Sequence, residues 1–432
     1  METTNNKTKK IIIIAIVAIV VVAISILGWV VYGGNGGGVM GEKIRTFLPF
    51  GNGAENRTVV PINNPEASGG IIVGEGNQEI SLLHKLHNSP VAGVYAFTKK
   101  IVGTTTQDVV VRYIERGLGH IYETNMFDLK ETRISNETRL KIYEALWGNS
   151  GNGVVIRYLN GDNNDTVQTY SMVLRDIKNA TTTEEGKRVE SDGVFLPEKI
   201  SDVAISQEKG DRMFYILPSG DSSVGITVGF DGKKQVQLLD SPLKEWLSFW
   251  PNDKLITLTT KPSQKVPGYM YFLDAQTGKT SKALGGINGL TTLTSPDGKE
   301  VLYSESSNNG INLFVYNVTK DTKTKLSLTT LPDKCVWSKH KKGILYCGVP
   351  QTPPSGSLPD LWYQGVVSFS DDMWMIDTAT GITTILVNPT KVAGESIDVT
   401  KLSLSPDELF LLFVNKKDSA PWSLKLVGSE LQ

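Results

Sequence analysis

Cysteine and histidine are scarce in this chain of 432 residues, which holds two Cys and four His. Two thiols do not fill the four-ligand set of a structural zinc site, and His84, His87, His120 and His340 are too scattered to complete one. Neither sign of charge is in surplus: Lys and Arg number 44 against 45 Asp and Glu, for a net charge of -1. With no block of five like charges, neither a nucleic-acid footprint nor an acidic tail is present. The usual catalytic motifs are missing as well. Gly278-Lys279-Thr280 ends like a P-loop, but Leu273 stands where the upstream glycine is needed. Gly148-Asn149-Ser150-Gly151 lacks the spacing of a nucleophile elbow, and Asp162-Asn163-Asn164-Asp165 lacks the glycine and distal Glu of a calcium loop. No catalytic, metal-ligating or cofactor-binding residue is therefore assigned.

One long apolar run is present. Ile11 to Val31 carries no charge, and as a helix it is long enough to cross roughly 30 Å of hydrocarbon. Trp29 and Tyr32 fall where an interfacial aromatic belt belongs, and the run is longer than the apolar core of a cleaved secretory signal. Lys7, Lys9 and Lys10 precede it, whereas Lys43 and Arg45 are the nearest positive charges beyond it. The expectation is a single-pass signal anchor at 11–31, a cytoplasmic tail at 1–10, and the rest of the chain outside the cytoplasm. Residues 32–78 are rich in Gly, Asn and Pro and read as a tether with a reach on the order of 35 Å. Its one apolar island is Phe47-Leu48-Pro49-Phe50, a docking segment or a locally collapsed stretch of linker.

After residue 31, long helical stretches give way to 42 Gly, 14 Tyr, 13 Phe and abundant Thr, Ser and Asn, the composition of many short strands joined by turns. A tight-turn signal recurs roughly every 45 residues, preceded by Thr98, Trp147, Ser206, Trp250, Ser295, Ser338 and Ser405. Its clearest copy is Ser295-Pro296-Asp297-Gly298-Lys299, in which Pro presets φ, Asp bonds back to the backbone and Gly accepts positive φ. Two gaps are long, owing to a polar run from Asp176 to Asp192 and a Pro-rich run from Val349 to Asp371. Third strands close on Asp-x-x-Thr-Gly-type turns, as in Asp274-Ala275-Gln276-Thr277-Gly278 and Asp377-Thr378-Ala379-Thr380-Gly381. The fold class is all-β, a single propeller over 79–432 with seven blades expected and six as the alternative. Because the last repeat ends without a fourth strand, residues 80–86 are expected to complete it beside Trp422 to Val427 and close the ring.

These turns, Ser-Pro-Asp-Gly-Lys followed by VLYSES together with Asp-x-x-Thr-Gly, resemble the repeats of TolB-like, WD40-like bacterial β-propellers, over about residues 80 to 432. That resemblance implies binding or scaffolding outside the cytoplasmic membrane. The same repeats also occur in propellers attached to serine peptidases, and the expectation here is a propeller without a following hydrolase domain.

Cys335 and Cys347 flank one hairpin, and antiparallel pairing about Lys341 sets them opposite each other at disulfide distance. The expectation is a disulfide, as suits an oxidising exterior, with two reduced thiols as the alternative. Trp362 and Tyr363, in the long insertion, are either a partner-binding pair or a plug packed onto the ring. The function expected is a membrane-anchored, extracytoplasmic module that binds a protein or envelope partner, without cofactor and without nucleic acid. The alternative is an extracytoplasmic hydrolase or lyase acting on glycans or peptides in the central pocket.

Overall fold

The computed structural model of the protein describes residues 72–73, 79–80, 82–100, 107–160, 166–177, 186–307 and 310–426. The expected tail and anchor at 1–31, nearly all of the tether at 32–78 and the Asp162–Asp165 tip lie outside them. Among the described residues no helix is long and apolar enough to cross a membrane.

Seven four-stranded antiparallel sheets follow one another along the chain. Their first strands are Val91–Lys100, Ile142–Gly148, Asp202–Ile205, Trp246–Asn252, Thr291–Thr294, Cys335–Trp337 and Val399–Leu404. Second strands such as Leu255–Thr260, Ile344–Pro350 and Phe410–Asn415 are buried along most of their length. A strand pressed between two neighbouring sheets has no wet face, which is why these read as continuous apolar runs instead of alternating ones. Fourth strands are the wettest, Thr322–Lys325 being exposed throughout. The first strands therefore face the centre of a ring and the fourth strands its rim.

Burial confirms the ring, because each of seven apolar clusters joins one pair of neighbouring sheets. Ile114 and Ile134 meet Ile142 and Ile156; Val155 meets Met213 and Tyr215; Phe214 and Ile216 meet Ile256 and Leu258. Met270 meets Val301, Leu302 and Leu313 meet Leu345, Met373 meets Leu411 and Phe413, and Leu412 returns to Val111 and Tyr113. With roughly 1.5–3 kcal/mol from each large apolar side chain so buried, packing between blades carries most of the stabilisation. The count is seven, as the turn ladder leads one to expect.

Closure also follows the expected route, over fewer residues. Leu83–Lys85 pairs antiparallel with Pro421–Lys425, through Leu83 to Leu424, His84 to Ser423 and Lys85 to Trp422. Ile80 stands apart from this latch and pairs with Ile72 instead.

Two further expectations need correction. Thr98 precedes no tight turn: it sits inside a strand that runs to Lys100, paired with Val109, so apolar pairing outweighed the weak turn signal there. The polar run from 176 to 192 is only partly a loop, since Val189–Phe195 is the fourth strand of the second blade and pairs with Tyr170 to Asp176. The later insertion is a loop nearly as long as expected, leaving the sheet after Pro350 and rejoining it at Asp371.

Candidate functional site

In the second to seventh blades the turns between first and second strands lie on one face of the ring, around its centre. The chemistry of the turn fixes their shape. Asp297 Oδ1 accepts from Ser295 Oγ at 2.8 Å and from Lys299 N at 3.1 Å, Ser295 Oγ accepts from Glu300 N at 3.0 Å, and Gly298 takes φ 72°. The seventh blade repeats these bonds through Ser405 and Asp407, but Glu408 occupies the glycine position at φ 55°. That left-handed backbone is held by the carboxylate, which accepts from Ser338 Oγ at 2.6 Å, Lys339 N at 2.6 Å and His340 N at 3.1 Å. One turn thereby grips the turn of the sixth blade.

Four successive turns line an open depression of about 630 Å³, formed by Glu208, Asn252, Asp253, Lys254, Asp297 and Lys339 among others. Lys339 crosses the opening from the sixth blade to the third, donating from Nζ to Gln207 O at 2.8 Å. Asp253 N donates to Glu208 Oε2 at 2.9 Å, Asn252 Nδ2 donates to Pro296 O at 2.9 Å, and Lys209 pairs with Asp253. The mouth is thus stitched turn to turn, with charges of both signs fixed in place. Burial raises the Asp297 carboxyl, but the bonds from Lys299 N and Ser295 Oγ and the nearby Lys342 and Lys299 ammonium groups outweigh it and hold the group below the usual carboxylate range. The Lys339 ammonium is lowered by burial, against the pull of Glu408 and Glu208.

The insertion covers the opposite face, at the end where second strands turn into third strands. Trp362, only 3% exposed, packs with Ile311, Leu331 and Leu358. Its Nε1 donates to both oxygens of Asp398, at 3.2 and 3.1 Å. Asp398 also accepts from Ser368 Oγ at 2.9 Å and Phe369 N at 3.0 Å, and it pairs with the fully buried Lys334. Lys334 Nζ lies 2.6 Å from Asp371 Oδ2 and donates to Val399 O at 3.1 Å. Burial pushes the Asp371 carboxyl up to about 6, against the pull of Lys334. Burial also acts to raise Asp398, but Lys334, Phe369 N and Trp362 prevail and leave it lowered. Trp362 is therefore packed down among these side chains, while Tyr363 stays 40% exposed and donates its hydroxyl to Asp333 Oδ1 at 2.6 Å.

Cys335 and Cys347 form the expected disulfide, their Cα atoms 4.1 Å apart at facing positions of the sixth blade. Among the described residues no three His, Cys, Asp or Glu side chains group as metal ligands. The structure brings together acids from three separate turns. Glu208, Asp253 and Asp297 each stand two or three residues past a rung of the ladder, and that shared offset is the signal that points them to one mouth. The Lys334, Asp371 and Asp398 network carried no such signal.

No family model matches the chain, and no curated protein matches it in sequence. Among solved structures, an oligogalacturonate lyase in complex with manganese superposes with a TM-score of 0.48 at 10% identity, over 79% of this chain and 98% of that one. A likeness at that level carries no argument about activity. The fold stands on its own seven closed sheets: the chain is a seven-bladed β-propeller.

Proposed function

We propose that the protein is a membrane-anchored, extracytoplasmic propeller that holds a protein or cell-envelope partner on its turn face. The observation that supports this most is the turn-lined mouth, where charges of both signs are already hydrogen-bonded into place before anything binds. Pre-set charges lower the ordering cost of association and give specificity for a complementary surface. Asp297, held ionised below the usual range, suits the capture of a cationic group better than proton exchange near neutral pH. The disulfide fits an oxidising compartment, and the apolar run at 11–31 with its preceding lysines fits a tether to the membrane. The resemblance to TolB-like repeats agrees with a binding role.

A photo-crosslinking residue at position 254, in intact cells, tests the reading. The expected result is a discrete adduct that disappears when Asp253 and Asp297 are reversed to Lys, and that persists when the crosslinker stays in place and Phe195 is changed to Ala. Adducts that survive the double reversal would count against the turn face. Protease added to intact cells should release the propeller by cutting within 32–78; protection of that segment would count against the extracytoplasmic placement.

A further inference from the structure

The chain enters its sixth and seventh blades through one water-free group of side chains. Lys334 ends the short helical turn Pro332–Lys334 that leads into Cys335–Trp337, and Asp398 stands just before Val399–Leu404. Asp371 opens the strand Asp371–Asp377, where the insertion rejoins its sheet. All three side chains are 0% exposed. Lys334 Nζ lies 2.6 Å from Asp371 Oδ2 and donates to Asp398 Oδ1. The rings of Trp362 and Phe369 cover it, each with its centroid 5.3 Å from Nζ. Holding opposite charges away from water is costly, and their attraction offsets that cost only in part. An amine set against a carboxyl group in such a place has a second outcome, since joining them as an amide leaves no charge to bury.

The two acids are placed for different parts of that reaction. Asp398 Oδ2 accepts from Ser368 Oγ at 2.9 Å, Phe369 N at 3.0 Å and Trp362 Nε1 at 3.1 Å. Three donors on one oxygen, all supplied by the insertion, are the arrangement that stabilises the negative oxygen of a tetrahedral intermediate. Oδ1 faces Lys334 and is the oxygen free to leave. Asp371 has no such cradle. Its Oδ2 accepts from Val399 N at 2.6 Å, while its Oδ1 is buried and without a hydrogen-bond partner among the described residues. Burial pushes this carboxyl up to about 6, against the pull of Lys334, so it can take up and release a proton near neutral pH.

We propose that Lys334 and Asp398 condense into an isopeptide bond, with Asp371 as the proton carrier. Asp371 takes one proton from the ammonium and passes it to Asp398 Oδ1, which turns the ion pair into a neutral amine and a neutral acid. The Nζ lone pair attacks Asp398 Cγ, and the electron pair of the carbonyl moves onto Oδ2. A second amine proton then travels by way of Asp371 to Oδ1. The carbonyl re-forms as the Cγ–Oδ1 bond breaks, water leaves, and the amide keeps one N–H. No oxidant or further reactant is needed. Burial acts to raise Asp398, but Lys334, Phe369 N and Trp362 hold it below the usual carboxylate range, so the neutral pair is scarce and the reaction slow. Unreacted chains keep the ion pair. The bond spans 64 residues and staples the innermost strands of the sixth and seventh blades to each other.

Tryptic peptide mass spectrometry of the full-length protein, reduced and alkylated before digestion, tests the bond in newly purified samples and after prolonged warming of the folded protein. Trypsin does not cut after an acylated lysine, so the product is a branched peptide joining residues 326–339 to 392–401, lighter by one water than the two together. Its share should grow during warming, at the expense of the linear peptides 326–334 and 392–401. Asp398→Asn should give the same branched peptide by loss of ammonia, a product that no ion pair yields. Asp371→Ala should leave both stretches linear; if that variant fails to fold, Asp398→Asn decides. The proposal is overturned if the warmed protein yields linear peptides alone, if the branch joins Lys334 to the peptide 343–391 that holds Asp371, or if folded Asp371→Ala condenses as fast as the native chain.

Discussion

Lys334→Met removes the ammonium that bridges Asp371 and Asp398, both fully buried. Methionine fills much of the lysine stem but leaves two carboxyl groups facing each other. Loss of one partner from a buried ion pair costs about 3–5 kcal/mol. Asp398 keeps bonds from Ser368 Oγ, Phe369 N and Trp362 Nε1, so the remaining negative charge settles there and Asp371 takes the proton. In the native protein the Asp371 carboxyl already sits at about 6 against an unfolded value of 3.8. A raised acid of this kind contributes stability that is complete below 3.8 and lost as pH rises through about 6. The gap of about 2 units corresponds to about 3 kcal/mol. Without Lys334 the folded value climbs further, so the destabilisation should be largest near pH 8 and shrink toward pH 5. Urea unfolding followed by tryptophan fluorescence at both pH values measures it. Adding Asp371→Asn and Asp398→Asn should recover much of the loss. A cost below about 1 kcal/mol at pH 8, or one that does not change with pH, would refute the account of this network.

Three other outcomes follow from the same geometry. Replacing Cys335 and Cys347 with alanine should lower unfolding free energy by about 2–3 kcal/mol, the loop-closure value for a short cross-linked loop, and reduction of the native protein should match it in the same urea assay. Glu408→Ala should destabilise more than Glu408→Gly by about 1 kcal/mol, because both lose the grip on the sixth blade but only glycine relieves the left-handed backbone; equal thermal shifts would count against that strain. Leu83→Asp, placing a charge in the cluster between the sixth and seventh blades, should cost about 3 kcal/mol and open the last blade to limited proteolysis before the others.

The parts of this fold that were legible in sequence are those written in short-range chemistry. Ser295, Pro296, Asp297 and Gly298 bond within one turn, so their order announces the hairpin without help from the rest of the molecule. The disulfide was legible for a similar reason, since a hairpin centred on Lys341 fixes which positions face each other. The shortened last repeat pointed to the closing strand. Long-range electrostatics left no comparable trace. Lys334 and Asp398 are 64 residues apart, and each sits in an ordinary polar context that is buried only after the insertion folds over it. For Trp362 both anchor and plug stayed open because its hydrogen-bond partner lies 36 residues away.

The pairing of Leu83–Lys85 with Pro421–Lys425 sets the order in which the molecule can be finished. Its two halves are separated by nearly the whole propeller, and at ribosomal speed the second appears on the order of 20 to 70 s after the first. Blades can form one by one in that interval, yet the ring stays an open arc with an unsatisfied edge at each end. Newly made chains are thus most prone to join end to end with their neighbours just before residues 421–425 emerge, and the same three residue pairs that complete one molecule are what two unfinished copies would compete for.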